Sequence, residues 1–268
     1  MRLTKMLRCV LPLMVLAGAM PLHAQPWEPG EGLTIRPLAD GAYWIVHERL
    51  WPCNSLLVVM ADSSLVLCDT PTDVPATWKL LQWMNEYFGP HPLTVFNSHY
   101  HVDCLGGNAA LREAEIPSYG GELSAEVLTK QQQAIRERVA AGTEPDSSWE
   151  EDSLILTFRP PDHLFPLDSG MTLTFGGDSV ICFYPGPAHT PDNFVIWFPS
   201  KKILFGGCMV KGGNSLGNTR EADLEHWAES VSKLKRFPAE IVISGHSRDH
   251  SPEIVENTLR ILAEQGGE

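Results

Sequence analysis

Leu93-Thr94-Val95-Phe96-Asn97-Ser98-His99-Tyr100-His101-Val102-Asp103-Cys104-Leu105-Gly106-Gly107, residues 93–107, is the stretch whose reading decides the rest. Residues 93–96 form a short apolar strand, and three metal-binding side-chain types follow at alternate positions: His99, His101 and Asp103. In an extended turn, residues two apart point the same way, so two imidazoles and a carboxylate can converge on one spot. Gly106 and Gly107 then allow the tight backbone from which the next helix starts. A lone loop histidine is more often structural than a ligand, but three ligand types alternating at a strand end point to a metal.

On either side of this stretch the pattern alternates short strands with amphipathic helices. Residues 42–47, 55–59 and 65–68 read as a meander of strands. Val74, Trp78, Leu81, Met84 and Phe88 recur at spacings of three and four, which predicts a helix with one buried face. The second half repeats the logic, with strands expected at 171–175, 179–184, 194–198, 203–205 and 241–243. Leu224, Trp227, Val231 and Leu234 mark a helix, and residues 254–262 a closing one. Strands with helices interleaved in both halves predict an α/β fold, an αββα sandwich of two mixed sheets with helices on the outside. A polar helical stretch from Ser124 and a Gly-, Pro- and Ser-bearing loop near 141–149 read as a helical insertion over 124–150 within one domain, residues 25–268.

Further ligands should lie at other strand ends, since a zinc needs three or four. His189 sits in Pro185-Gly186-Pro187-Ala188-His189-Thr190, between two strands. Cys208 ends Phe205-Gly206-Gly207-Cys208 and His246 sits in Ser244-Gly245-His246-Ser247, each just after a strand. Each alone reads as an ordinary loop residue. Together with His99, His101 and Asp103 they make six donors in turns that would crowd one edge of the sandwich.

The segments SHYHVDCLGG, LCDTP, YPGPAHTPDN, KILFGGCMVK, NSLGN and SGHS fall in an order that resembles the metallo-β-lactamase family, specifically the subclass whose second zinc uses Asp, Cys and His. The resemblance spans most of the chain after residue 24. It implies two Zn2+ ions, the first on His99, His101 and His189 and the second on Asp103, Cys208 and His246. Asp69, in LCDTP, matches a position that hydrogen-bonds the metal-bearing loop. Asp103 and Asn218 would act on the reacting group. Lys211 would pair with the carboxylate common to β-lactams, and Trp51 could wall the substrate in a hairpin short for this subclass. A three-histidine zinc keeps an open position and can lower the pKa of water, so no serine nucleophile is required. The activity implied is hydrolysis of penicillins, cephalosporins and carbapenems. One departure stands out: Cys104 follows Asp103 where the subclass more often has Arg, Lys or Ser, which leaves a free thiol beside the site, a ligand, or a partner for Cys208 in oxidation.

Composition is compatible with this reading. The chain has 268 residues, 43% hydrophobic and 20% charged, which suits a globular protein rather than a disordered or fibrous one. Arg2, Lys5 and Arg8 precede an apolar run broken by Pro12, and Leu22-His23-Ala24 ends on a small residue; residues 1–24 therefore read as a cleaved export signal directing the chain to the periplasm. Removing those three basic residues takes the formal charge from −13 to about −16, which disfavours nucleic acid and anionic membranes as partners. It also leaves five of the six cysteines, an odd count, so at least one thiol is free or metal-bound. A monomer is expected from the family resemblance alone. Two alternatives stay open: a thioester, lactone or phosphodiester hydrolase of the same superfamily, and a non-catalytic exported zinc-binding protein.

Overall fold

Period-two alternation along the strands gives each sheet two apolar faces, and the inner faces meet. In the computed structural model, residues 25–49, 51–141 and 149–265 are described; the segment 1–24 read as an export signal and most of the 141–149 loop lie outside them. The first sheet runs β1 (Trp27–Gly30), β2 (Leu33–Ala39), β3 (Ala42–Glu48), β4 (Pro52–Val59), β5 (Leu65–Cys68), β6 (Leu93–Phe96), β7 (Ser118–Gly121) and β8 (His163–Phe165), in that spatial order. Its strands are antiparallel up to β5 and parallel from β5 to β8. Helices make the parallel crossovers: α1 (Val74–Phe88), then α2 (Val102–Leu105) and α3 (Asn108–Glu113), then α4 (Glu122–Ala140) and α5 (Trp149–Ile155). The second sheet comprises β9 (Met171–Phe175), β10 (Asp178–Phe183), β11 (Val195–Phe198), β12 (Ile203–Gly207) and β13 (Ile241–Ser244), ordered β13-β12-β11-β10-β9 with only β12 and β13 parallel. Helices α6 (Trp227–Ser232) and α7 (Ile254–Gln265) follow β12 and β13.

The layers can be read residue by residue. Leu56 and Val58 of β4 join Phe96, Ile196, Phe198, Ile203 and Phe205 between the sheets. Their neighbour Leu57 points outward instead, onto Leu80 and Trp83 of α1. Likewise Val195, Trp197 and Leu204 turn outward onto Trp227 and Val231 of α6 and Ile261 of α7. Each such fully buried side chain contributes about 1.5–3 kcal/mol relative to exposure. The result is the αββα sandwich expected, with mixed sheets and helices outside.

Several local expectations need correction. The buried face of α1 is Ala76, Thr77, Leu80, Trp83 and Met84, whereas Trp78 is exposed. The helix carries two apolar stripes, and periodicity cannot choose between them; packing against Leu57, Leu67 and Val95 of the sheet does, while Asp73, itself buried, caps the helix start by accepting from the Ala76 amide at 2.8 Å. Leu224 is exposed and precedes α6, which starts at Trp227. Gly106 and Gly107 adopt ordinary right-handed helical angles, so conformational freedom is not their role. Space is: a Cβ on Gly106 would stand 2.1 Å from the Thr72 carbonyl oxygen.

Candidate metal centre

The parallel arrangement of β5 and β6, and of β12 and β13, brings the carboxyl ends of strands to one rim, the place where open α/β sheets build sites. His99, His101 and Asp103 follow β6, His189 lies between β10 and β11, Cys208 follows β12, and His246 follows β13. His99 and His101 reach the rim from the bend that follows β6 rather than from an extended segment. Asp103 sits in the first turn of α2, and comes back to His99 at helical i,i+4 spacing, with His99 Nε2 3.9 Å from Asp103 Oδ1.

Two groups of donor atoms result. The rings of His99, His101 and His189 pack mutually at centroid distances of 4.7, 5.3 and 5.1 Å. His189 Nε2 faces His101 Nδ1 at 3.2 Å. Beside them, Cys208 Sγ lies 3.0 Å from Asp103 Oδ2 and 3.3 Å from His246 Nε2, which is in turn 3.4 Å from the same carboxylate oxygen. The donor atoms of His99, His189 and Cys208 also cluster, joining the two groups. Gly245 makes room for this, since a Cβ there would meet Cys208 Sγ at 2.3 Å.

Hydrogen bonds at the far side of each ring decide which nitrogen is offered inward. His246 Nδ1 donates to the Pro52 carbonyl at 2.8 Å, leaving the Nε2 lone pair toward Cys208 and Asp103. His101 Nε2 donates to Glu221 Oε2 at 2.7 Å, leaving Nδ1 toward His189. His99 Nδ1 lies 3.0 Å from Cys104 Sγ, and its buried Nε2 has no partner among the described residues. A buried nitrogen without a partner, beside two imidazole nitrogens that face each other, fits a cation between them. The donor set, three imidazoles on one side and carboxylate, thiolate and imidazole on the other, is that of zinc. Titration agrees with the role. Burial, with the cationic neighbours His101 and Lys211, holds His99 down to about 3 and His189 well below the usual histidine range, so both rings are neutral. Burial and the Asp103 carboxylate push the Cys208 thiol up, so a metal has to displace its proton.

The remaining expected residues gather at the same place. Asp69, in a left-handed backbone conformation just after β5, accepts from the Ser98 amide at 2.6 Å and the Ser98 hydroxyl at 2.7 Å, tying down the ligand-bearing turn. Burial raises its carboxyl to about 7. Cys104 lies on the Nδ1 side of His99, behind the ring, and all five cysteines after residue 24 are buried and free. Lys211, Asn218 and Trp51 line one cavity of about 510 Å³ with His101, Asp103 and His246. Burial lowers the Lys211 ammonium, which stands 5.6 Å above the Trp227 ring. Contributors to this cavity that were not foreseen include Glu221, Gln131 of the 124–150 insertion, and Ile155 and Phe158 just beyond it. Glu221 is 120 residues from the histidine it holds, inside a charged run that reads as solvated surface.

A four-layer αββα sandwich with metal donors at one rim defines a class, and comparison with known proteins gives it a name: residues 49–246 match the metallo-beta-lactamase superfamily, and the chain belongs to it. A metallo-beta-lactamase type 2 of Pseudomonas aeruginosa is 33% identical over 235 residues, covering 84% of this chain and 82% of that protein. The solved metallo-beta-lactamase from Pontibacter korlensis superposes with a TM-score of 0.72 at 26% identity, covering 87% of this chain and all of that one. The metallo-beta-lactamase FIM-1 of Pseudomonas aeruginosa, solved in a mono-zinc form, gives 0.70 at 26% identity over 89% of this chain and 99% of that one.

Proposed function

We propose that this chain is a zinc-dependent β-lactamase that opens the lactam amide of penicillins, cephalosporins and carbapenems, acting in the periplasm as a monomer and conferring resistance to these antibiotics. The observation that supports this is the presence of two contiguous groups of metal-donor atoms beside Lys211, which lines one cavity with His101, Asp103, His189 and His246. His99, His101 and His189 would hold one zinc, and Asp103, Cys208 and His246 a second. Bound there, zinc supplies Lewis acidity for the carbonyl and an acidified water, so the chain needs no nucleophile of its own.

The chain's residues do the rest. Lys211 offers a fixed positive charge in a protein of net charge −13, and steers the substrate carboxylate to one side of the donor groups. Asn218 Oδ1 accepts the Arg220 amide at 3.1 Å, which turns the Asn218 NH2 outward as a donor for the oxygen that gains charge as the ring opens. Asp69 and Glu221 keep the histidine-bearing turn in register.

A hydrolysis assay on the purified, zinc-loaded chain tests the reading, with a chromogenic cephalosporin set beside a thioester and a lactone. The cephalosporin should be turned over, lose its turnover on chelation and regain it with zinc. Preferential cleavage of the thioester or lactone would move the chain to another branch of the superfamily. Tight zinc uptake without any turnover would make it a metal-binding protein instead.

A further inference from the structure

His246 is the metal donor that packing holds least. Its side chain is 34% exposed, against 19% for His101, 6% for Asp103 and 1% for His99. The turn that carries it, Ser244-Gly245-His246-Ser247, is built on a glycine for want of room, because a Cβ at 245 would stand 2.3 Å from Cys208 Sγ. Glycine loses more conformational freedom on folding than any other residue, so a residue needed for clearance leaves the turn loose in itself. Its rigidity has to come from outside.

It comes from the other sheet. Asn54 of β4 is 3% exposed, and its Nδ2 donates to the Ser244 carbonyl at 2.8 Å and to the Ser247 carbonyl at 2.6 Å, one on each side of Gly245 and His246. Its backbone amide donates to the Gly245 carbonyl at 2.8 Å. Two residues earlier in the same strand, the Pro52 carbonyl accepts from His246 Nδ1. The orientation of the Asn54 amide is dictated as well. Trp44 Nε1 lies 2.9 Å from Asn54 Oδ1; an indole N–H can only donate and a peptide carbonyl can only accept, so the oxygen faces Trp44 and the nitrogen faces the turn. The Trp44 ring also meets the His250 ring edge-on at a centroid distance of 4.4 Å, in the loop that continues from the turn. One buried amide thus spends both its protons on a single turn.

We propose that Asn54 is a positioning residue for the second metal, holding the 244–247 turn so that His246 Nε2 faces Cys208 Sγ and Asp103 Oδ2. Asn54 itself does not line the cavity. The inference rests on the two-zinc part of the reading above, and makes β4 of the first sheet the element that sets how tightly the second zinc is held relative to the first. An asymmetry follows. His99, His101 and His189 lie on other elements and share none of these hydrogen bonds, so loosening the turn should release one metal and leave the other.

Zinc titration of the full chain against a chromophoric chelator resolves the two affinities, and cobalt titration reads the second site by its thiolate-to-metal charge-transfer band. Asn54→Ala removes both side-chain donors, and Asn54→Asp keeps an oxygen for Trp44 but cannot donate to either carbonyl. In both, the affinity for the second zinc should fall by about 10-fold or more, the scale for losing a group that orients a ligand, while the first changes by less than about threefold. The cobalt–thiolate band should need correspondingly more cobalt. Trp44→Phe leaves the donors in place and frees the amide to rotate; it should give a smaller loss in the same direction, and keeps the test where the Asn54 variants do not fold. Gln132→Ala is the control, because it cuts hydrogen bonds from α4 to the Ile155 and Phe158 carbonyls, away from the turn, and should leave the ratio of the two affinities unchanged. Equal weakening of both zincs, no weakening of either, or the same split in Gln132→Ala overturns the positioning role and leaves the two-zinc reading intact. Failure of the unaltered chain to take up a second metal, with no cobalt–thiolate band, overturns the two-zinc reading and the role of Asn54 with it.

Discussion

His101 has to offer one particular nitrogen inward, and the choice is made on the outer side of its ring. Glu221 accepts the Nε2 proton at 2.7 Å, and this hydrogen bond holds the Glu221 carboxyl down to about 2. Burial alone would depress His101, yet the carboxylates of Glu221 and Asp103 hold it above the ordinary histidine value. Removing the acceptor frees the ring to flip or to take the other tautomer, and leaves Nε2–H to find water in a half-buried place. Glu221→Ala should therefore weaken zinc binding by about 10-fold or more, while Glu221→Gln, which keeps an acceptor, should lose less. Competition with a chromophoric chelator measures both; equal affinity in all three proteins would show that the ring is positioned by packing alone.

At the scale of elements, a single side chain joins helix α4 to the segment that follows α5. Gln132 supplies two hydrogen bonds to the 155–158 segment, and water can replace part of what is lost. Gln132→Ala should therefore cost about 1 kcal/mol, lowering Tm by about 2–4 °C in a chain of this size. Gln133→Ala is the control, since Gln133 reaches only Glu137 one turn along the exposed face at 2.8 Å. Parallel thermal melts that shift equally would place Gln132 on the surface in energetic terms.

The same elements show what could be read from the chain. The sandwich was legible because strands such as β11 and β12 are apolar on both faces, which only a buried sheet with covered faces demands. The six donors were legible because His, Cys and Asp in Gly- and Pro-rich turns are rare enough for their coincidence to carry meaning. The buried face of α1 was not, because Trp78 and Trp83 lie on different stripes and the choice between them is made by packing on Leu57, Leu67 and Val95 of the sheet. Strands β7 and β8 were missed because they are four and three residues long and pair with partners distant in sequence, and the β1–β2 hairpin, which pairs across Gly30 and Leu33, was missed as well. Ile155 and Phe158 looked like ordinary apolar residues of a connection, since nothing local says that Tyr100 lies against them.

At the scale of the molecule, the donors divide evenly between the sheets. His99, His101 and Asp103 hang from the first, and His189, Cys208 and His246 from the second, across nearly 150 positions of sequence. Metal binding therefore ties the two layers at their rim, in addition to the apolar contacts between them. Without metal the fold keeps a buried His99 Nε2 with no hydrogen-bond partner among the described residues, which costs free energy. A ligand that binds only the folded state at 100 times its Kd adds about 2.7 kcal/mol. At about 2–4 °C per kcal/mol in a chain of this size, that raises Tm by roughly 5–10 °C. Differential scanning calorimetry of the chelated and the zinc-restored protein should show this gap. Cys208→Ser should narrow it, because the variant loses a donor while the sheets keep their apolar contacts. Coincident melts with and without zinc, in a protein that analysis shows to have taken up the metal, would mean that zinc binds without bridging the layers, and the rim would have to be held by the hydrogen bonds of Asp69, Glu221 and His246 alone.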